Sequence, residues 1–348
     1  MSYGTRPGLF IALCLAILLT GCDEPQPTPE PKPIAPPVAV TTPISSQTQA
    51  SMEAFRDRSS ELLDGLVVCT DTLSTLGEQF LQQTDQTTLE ALQQQWQACF
   101  DLYRASTMLR GFTPEHRQAM ADARSNLGKP LLMPGFIDSV LDYPYSGIVN
   151  DASLPLDKTS LRQQHGLTDE AEVSIGFPVV AFLLWGEQRQ NPELGARPIS
   201  DFEPASNWED GITDLPIEEH PHNRRRRLLE LTLELLSEDS QSLLEQWQSG
   251  AFPASQEAAD SWNTKQVQVM KAALEQQPDN AQVHSNLAAW LADGMVPGVP
   301  APIEPIDVEA EPEALQQQLS RALDTVEGTG LDTELNKEAE TAPTTEPG

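Results

Sequence analysis

Across residues 51–293, apolar side chains recur at three- and four-residue spacing, and alternating β-branched runs are almost absent. That period belongs to amphipathic helices, so a span of about 240 residues can bury its apolar surface only as an all-α body. Such a length suffices for two packed helical bundles. Helices are predicted at about 52–83, 89–110, 113–128, 169–188, 223–248, 255–276 and 280–293. The stretches 129–168 and 189–222, dense in Pro, Gly, Asn and Asp, read as long irregular connections. Loops of that length inside a compact body usually wrap a site. The expected division of 51–296 is into sub-bundles of about 51–168 and 169–296.

The N-terminus carries a different signal. One charge, Arg6, precedes an apolar run at 9–19, which is shorter than the roughly 20 residues of a spanning helix. The run closes on Leu19-Thr20-Gly21-Cys22, which resembles a bacterial lipobox. Residues 1–21 are therefore expected to be a signal peptide, with Cys22 as the lipid-modified first residue of an exported protein. Residues 22–50, rich in proline up to Pro43, read as an extended tether standing the body off a membrane. Asp23-Glu24 resembles an inner-membrane retention signal, so the expected location is the periplasmic face of that membrane, with the outer membrane as the alternative.

Losing residues 1–22 removes a single positive charge and takes the formal net charge from −31 to −32. Such a chain repels nucleic acid and anionic lipid alike, so the lipid, not basic side chains, would supply the membrane contact. The segment 297–348, acidic and rich in Pro, Thr and Glu, reads as a disordered tail. Residues 311–326 could form one amphipathic helix through Leu315, Leu319, Ala322 and Leu323, but fraying is the stronger expectation.

Beside Cys14 and Cys22 the chain has two cysteines, Cys69 and Cys99. If the first two helices form a hairpin turning near Asp85, the rise of about 1.5 Å per residue sets the two level within roughly 3 Å. In an oxidising compartment a hairpin-stapling disulfide follows; two buried thiols are the alternative.

The most informative segment is Ser174-Ile-Gly-Phe-Pro-Val-Val-Ala-Phe-Leu-Leu-Trp-Gly186. Gly-Phe-Pro opens a helix whose face is apolar all round, so it must lie in the interior. The segment resembles the signature of the imelysin-like family, in which Gly-x-His-x-x-Glu is followed by an apolar residue, two leucines, Trp and Gly. Gly176 matches the glycine, and 182–186 match the closing run. Trp96, Phe100, Arg104, the Tyr143-Pro144 and 148–151 loop segments and Trp247 follow in the family's order.

The resemblance implies an all-α envelope protein linked to iron uptake, with iron or another divalent metal as its ligand and other envelope iron-uptake proteins as partners. It also raises the peptidase activity proposed for some members. Here Pro178 replaces the motif's histidine and Ala181 its glutamate. Neither can bind a metal or move a proton, so the expected role is a non-catalytic, accessory one. The alternatives are a metallopeptidase using another metal site, and a structural lipoprotein unrelated to iron.

Two other clusters have ligand chemistry. Glu218, His220 and His222 could meet one cation. Arg224, Arg225, Arg226 and Arg227 could bind a carboxylate or phosphate, or else pair with the chain's own acids. His116, His165 and His284 stand alone in the sequence and read as ordinary surface or core residues.

Overall fold

The computed structural model describes residues 41–324 apart from 190, 209–212, 303–304 and 309. The predicted signal peptide, Cys22 and the tail beyond 324 lie outside the described residues. Among the described residues there are nine α-helices and no strand, only two isolated bridges. The all-α reading is borne out. No described helix is long and apolar enough to cross a membrane.

α1 (Ser46–Gln82) and α2 (Gln86–Ser106) form an antiparallel hairpin. Ser45 caps α1 by accepting the Thr48 N–H, and Asp85 caps α2 in a reciprocal capping box with Thr88. α1 starts before the expected end of the tether at residue 50. Pro43 bridges to Ser255, and Ser45 N–H donates to Gln256 Oε1, so the last tether residues are pinned to the body. Cys69 and Cys99 are joined in a disulfide between the two helices, with Cα atoms 5.5 Å apart.

α3 (Pro114–Gly128), capped by Thr113, and α6 (Pro221–Ser249) complete the main bundle with α5 (Phe177–Trp185). α6 packs most extensively on α1: Leu233 meets Gly77, and the buried Trp247 packs on Phe55 and donates to the Arg56 carbonyl. The expected boundary near 168 is therefore not a packing boundary, because α1 and α6 from opposite sides of it share one core. The smaller group is instead α7 (Gln256–Gln276), α8 (Ala281–Ala292) and α9 (Pro312–Asp324), packed on the α1–α2 hairpin. Phe55 sits at the junction, against Trp247, Trp262 and Trp290.

Residues 312–324 correct the disordered-tail expectation. α9 buries Leu315, Leu319 and Leu323 against α7 and α8, and Lys271 pairs with Asp324 at 2.8 Å. The apolar stripe outweighs the acidic composition around it, because three buried leucines contribute roughly 1.5–3 kcal/mol each. Two further differences matter for the site. The helix predicted over 169–188 occupies only Phe177–Trp185, and α4 (Lys158–Gln164) interrupts the irregular 129–168 stretch. α4 is tied to α6 by Lys158 with Glu234 and Glu238, and by Arg162 with Asp239.

Candidate functional site

α5 is short because both ends are fixed by glycine. Gly176 has φ +97°, and a Cβ there would lie 2.7 Å from the Asn126 and Leu127 carbonyl oxygens. Only glycine lets α5 begin this close to the end of α3. Pro178 falls in the first turn, where its missing N–H costs nothing. At the other end Gly186, at φ +64°, donates its N–H to the Phe182 carbonyl and stops the helix. Trp96 Nε1 on α2 donates to the Phe177 carbonyl at 3.1 Å, which docks α2 on the start of α5.

Pro178 and Ala181, three residues apart, share one helix face. Both line a pocket of about 250 Å³ between α5, α2 and the turn before Met133. Its walls are apolar: Leu131, Phe182, and the stacked rings of Trp96 and Phe100, whose centroids are 4.7 Å apart. Phe177 and Trp185 extend the aromatic cluster behind Trp96. The pocket's cation is Arg189, whose guanidinium lies 4.2 Å above the Trp96 ring and 4.9 Å from that of Trp185. The residue as a whole is exposed, but the part of its guanidinium covered by the two indole rings is desolvated, which lowers its pKa, opposed by the charge of Asp101. A metal centre of the Gly-x-His-x-x-Glu kind does not fit these residues, since a proline ring and a methyl group offer no donor.

The irregular loops are held in place by a buried ionic cluster that sequence reading did not find. Asp138, fully buried, accepts from Arg225 Nε at 2.6 Å and Nη2 at 3.0 Å. It also pairs with Arg197 at 2.9 Å and accepts the Ser139 N–H at 2.8 Å. Burial alone would raise this carboxyl, but the Arg225 hydrogen bond and the charges of Arg197 and Arg225 outweigh it and hold the pKa below the usual value. The Arg197 guanidinium also lies over the Phe182 ring at 5.4 Å. The cluster thus supports the pocket wall from behind. One aspartate in an irregular stretch carries no periodic signal that could have marked it.

The four consecutive arginines are not an anion site. Arg224 is buried and donates to the carbonyls of Ile148, Val149, Asp151 and Leu154 at 2.8–3.1 Å, and pairs with Glu219. Arg225 serves Asp138 and the Asp201 carbonyl, Arg226 the Leu81 and Phe202 carbonyls, and Arg227 pairs with Glu230. Loop carbonyls withdrawn from water need donors, and guanidinium groups supply several each.

The proposed cation cluster fares no better. The rings of His220 and His222 lie 5.1 Å apart, but His220 Nδ1 accepts the His222 N–H as the cap of α6, and His222 Nδ1 bonds the Glu203 carbonyl. Among the described residues, no group of three His, Cys, Asp or Glu side chains is arranged to hold a metal ion.

Of the isolated histidines, His116 and His284 are buried and His165 is half-buried. His116 is buried between Phe112 and Trp247, and its Nδ1 accepts the Phe112 N–H. Burial lowers its pKa, with a smaller opposing effect of the Gln246 carbonyl; burial likewise lowers those of His165 and His284. The unfolded chain therefore binds more protons than the folded one once the pH drops through about 6.5, and stability falls. Urea midpoints should decline from pH 7.5 to 5.5, and His116→Gln, which keeps an acceptor, should flatten the decline. A pH-independent midpoint across that window would contradict this.

A family model described as Imelysin (Peptidase M75) matches residues 64–295, more than half of the chain. Comparison with curated proteins gives no match.

Proposed function

The chain belongs to the imelysin family, and from that premise we propose that it is a non-catalytic binding protein of the bacterial envelope. In this reading a lipid on Cys22 holds it to a membrane, and it is an accessory to the uptake of iron or another divalent metal. One observation carries the non-catalytic part. The positions of the motif's histidine and glutamate are Pro178 and Ala181, and both open on an apolar pocket. General acid–base chemistry needs titratable groups within hydrogen-bond reach of the reacting atoms. The pocket's titratable side chain is Arg189, which stays protonated at neutral pH and cannot serve as a base.

The envelope part is supported by the lipobox-like Leu19-Thr20-Gly21-Cys22, the proline-rich segment after it, and a disulfide suited to an oxidising compartment. The link to metal uptake rests on family membership.

Two measurements test the proposal. Purified protein incubated with a mixed peptide pool, with and without added zinc or iron, should release no fragments above a buffer control; reproducible cleavage abolished by a pocket substitution would refute the non-catalytic reading. In cells, wild-type protein should partition with membranes, in the inner-membrane fraction if Asp23-Glu24 acts as a retention signal. Cys22→Ala should accumulate as unlipidated precursor. Equal processing and partitioning of both would remove the anchor.

A further inference from the structure

We infer that the pocket between α2 and α5 binds a small apolar carboxylate, its ring or branched chain against Trp96, Phe100 and Phe182 and its carboxylate on Arg189. This rests on the non-catalytic reading of the motif and names the ligand class that the altered motif admits.

The walls set the apolar half. Trp96, Phe182, Ala181 and Leu131 are buried, and Phe100 and Pro178 are half-buried at the pocket edge. An apolar cavity of about 150 Å³ holds benzene. A volume of about 250 Å³ therefore accommodates a fused two-ring system, or one ring with a short acid chain. Histidine and glutamate at 178 and 181 would fill part of that space, so the same replacements that remove the motif's chemistry also open the room.

Arg189 sets the polar half. Its guanidinium lies over Trp96 at the pocket, its side chain is exposed, and its hydrogen bond is to the neutral Gln97 Oε1 at 3.4 Å. Among the described residues it forms no ion pair, and Asp101, the acid whose charge reaches it, pairs with Arg104 at 3.9 Å, in a chain with 52 acids against 21 bases. Its place over the Trp96 and Trp185 rings confines the group to the pocket, and a guanidinium fork matches a carboxylate. The long-range repulsion of an anion by the net charge is screened beyond about 8 Å at physiological salt, so a local cation decides binding.

The test is calorimetric titration of the full chain with indole-3-acetate and with its neutral analogue indole-3-acetamide. The acid should bind with one-to-one stoichiometry, and the amide about ten-fold more weakly or worse. Arg189→Gln should bring the two within about two-fold of each other, and Ala181→Leu, which fills the pocket, should abolish both. Arg189 is exposed, so its variant keeps the test decisive should Ala181→Leu not fold. A peptide ending in a free tryptophan separates two sources of the same chemistry. Binding tighter than indole-3-acetate assigns the carboxylate to a chain terminus; weaker binding assigns it to a free acid. Folded wild-type protein that binds no acid, or Arg189→Gln that keeps the discrimination, overturns the inference. Peptide cleavage by the wild type would instead overturn the non-catalytic reading, so the two failures are distinguishable.

Discussion

Asp138→Ala is expected to be the most damaging single substitution, lowering stability by about 3–5 kcal/mol, because it strands two guanidinium groups in the interior. Asp138 is fully buried, and both Arg197 and Arg225 pair with it while themselves nearly buried. Removing the carboxylate leaves two uncompensated positive charges behind the Phe182 wall of the pocket. Asp138→Asn keeps the shape and one acceptor but loses the charge, so its loss should be smaller. Denaturant unfolding of both variants checks the order. Stability unchanged within about 0.5 kcal/mol in Asp138→Ala would show that the cluster does not hold the loops.

The second large effect concerns the hairpin. The Cys69–Cys99 bridge spans a sequence separation of 30 and ties α1 to α2. Closing a loop of that length stabilises by about 3–4 kcal/mol in the chain-entropy model. The double variant Cys69→Ser/Cys99→Ser should lose about that much. Reduction of the wild type should give a similar loss, with no further effect in the double variant. Alkylation located at Cys69 and Cys99 by mass spectrometry, in protein purified under non-reducing conditions, would contradict the bridge.

The helices were legible where burial is one-sided. α1, α2, α6 and α7 carry apolar stripes at helical spacing, so their existence follows from the sequence, while their ends, set by caps such as Ser45, differ by up to six residues. α5 was harder: apolar on every face, it has no period to mark where it starts, and the boundary is set by Gly176 meeting two carbonyls of another helix. α9 shows the opposite failure. Its leucine spacing was visible, but composition favoured fraying, and only the surface offered by α7 and α8 decides that it docks.

The motif residues and the pocket coincide. Pro178 and Ala181 lack the two donors of the motif, which is visible in the sequence, whereas the pocket they open does not exist until α2 brings Trp96 and Phe100 across. Arg189 lies outside the motif in a short 3-10 turn, and nothing in its neighbours announces a guanidinium seated over an indole. The arginine run left two readings open, an external anion or the chain's own acids, and the second holds: Arg224, Arg225 and Arg227 pair with Glu219, Asp138 and Glu230. The loop carbonyls that three of the four also serve are visible only in three dimensions.

In the proposed function, the imelysin-type site of this chain has exchanged its metal- and proton-handling groups for an apolar pocket. Elemental analysis of protein loaded with iron or zinc and then dialysed against a weak chelator tests it most directly, with wild type and the double variant Pro178→His/Ala181→Glu side by side. Wild type should retain no metal, and any affinity gained by the double variant, where it remains folded, should be weak, because two donors in an apolar pocket leave a metal without a third protein ligand. Stoichiometric metal held by the wild type, and lost on Ala181→Leu or Trp96→Phe in folded protein, would contradict it.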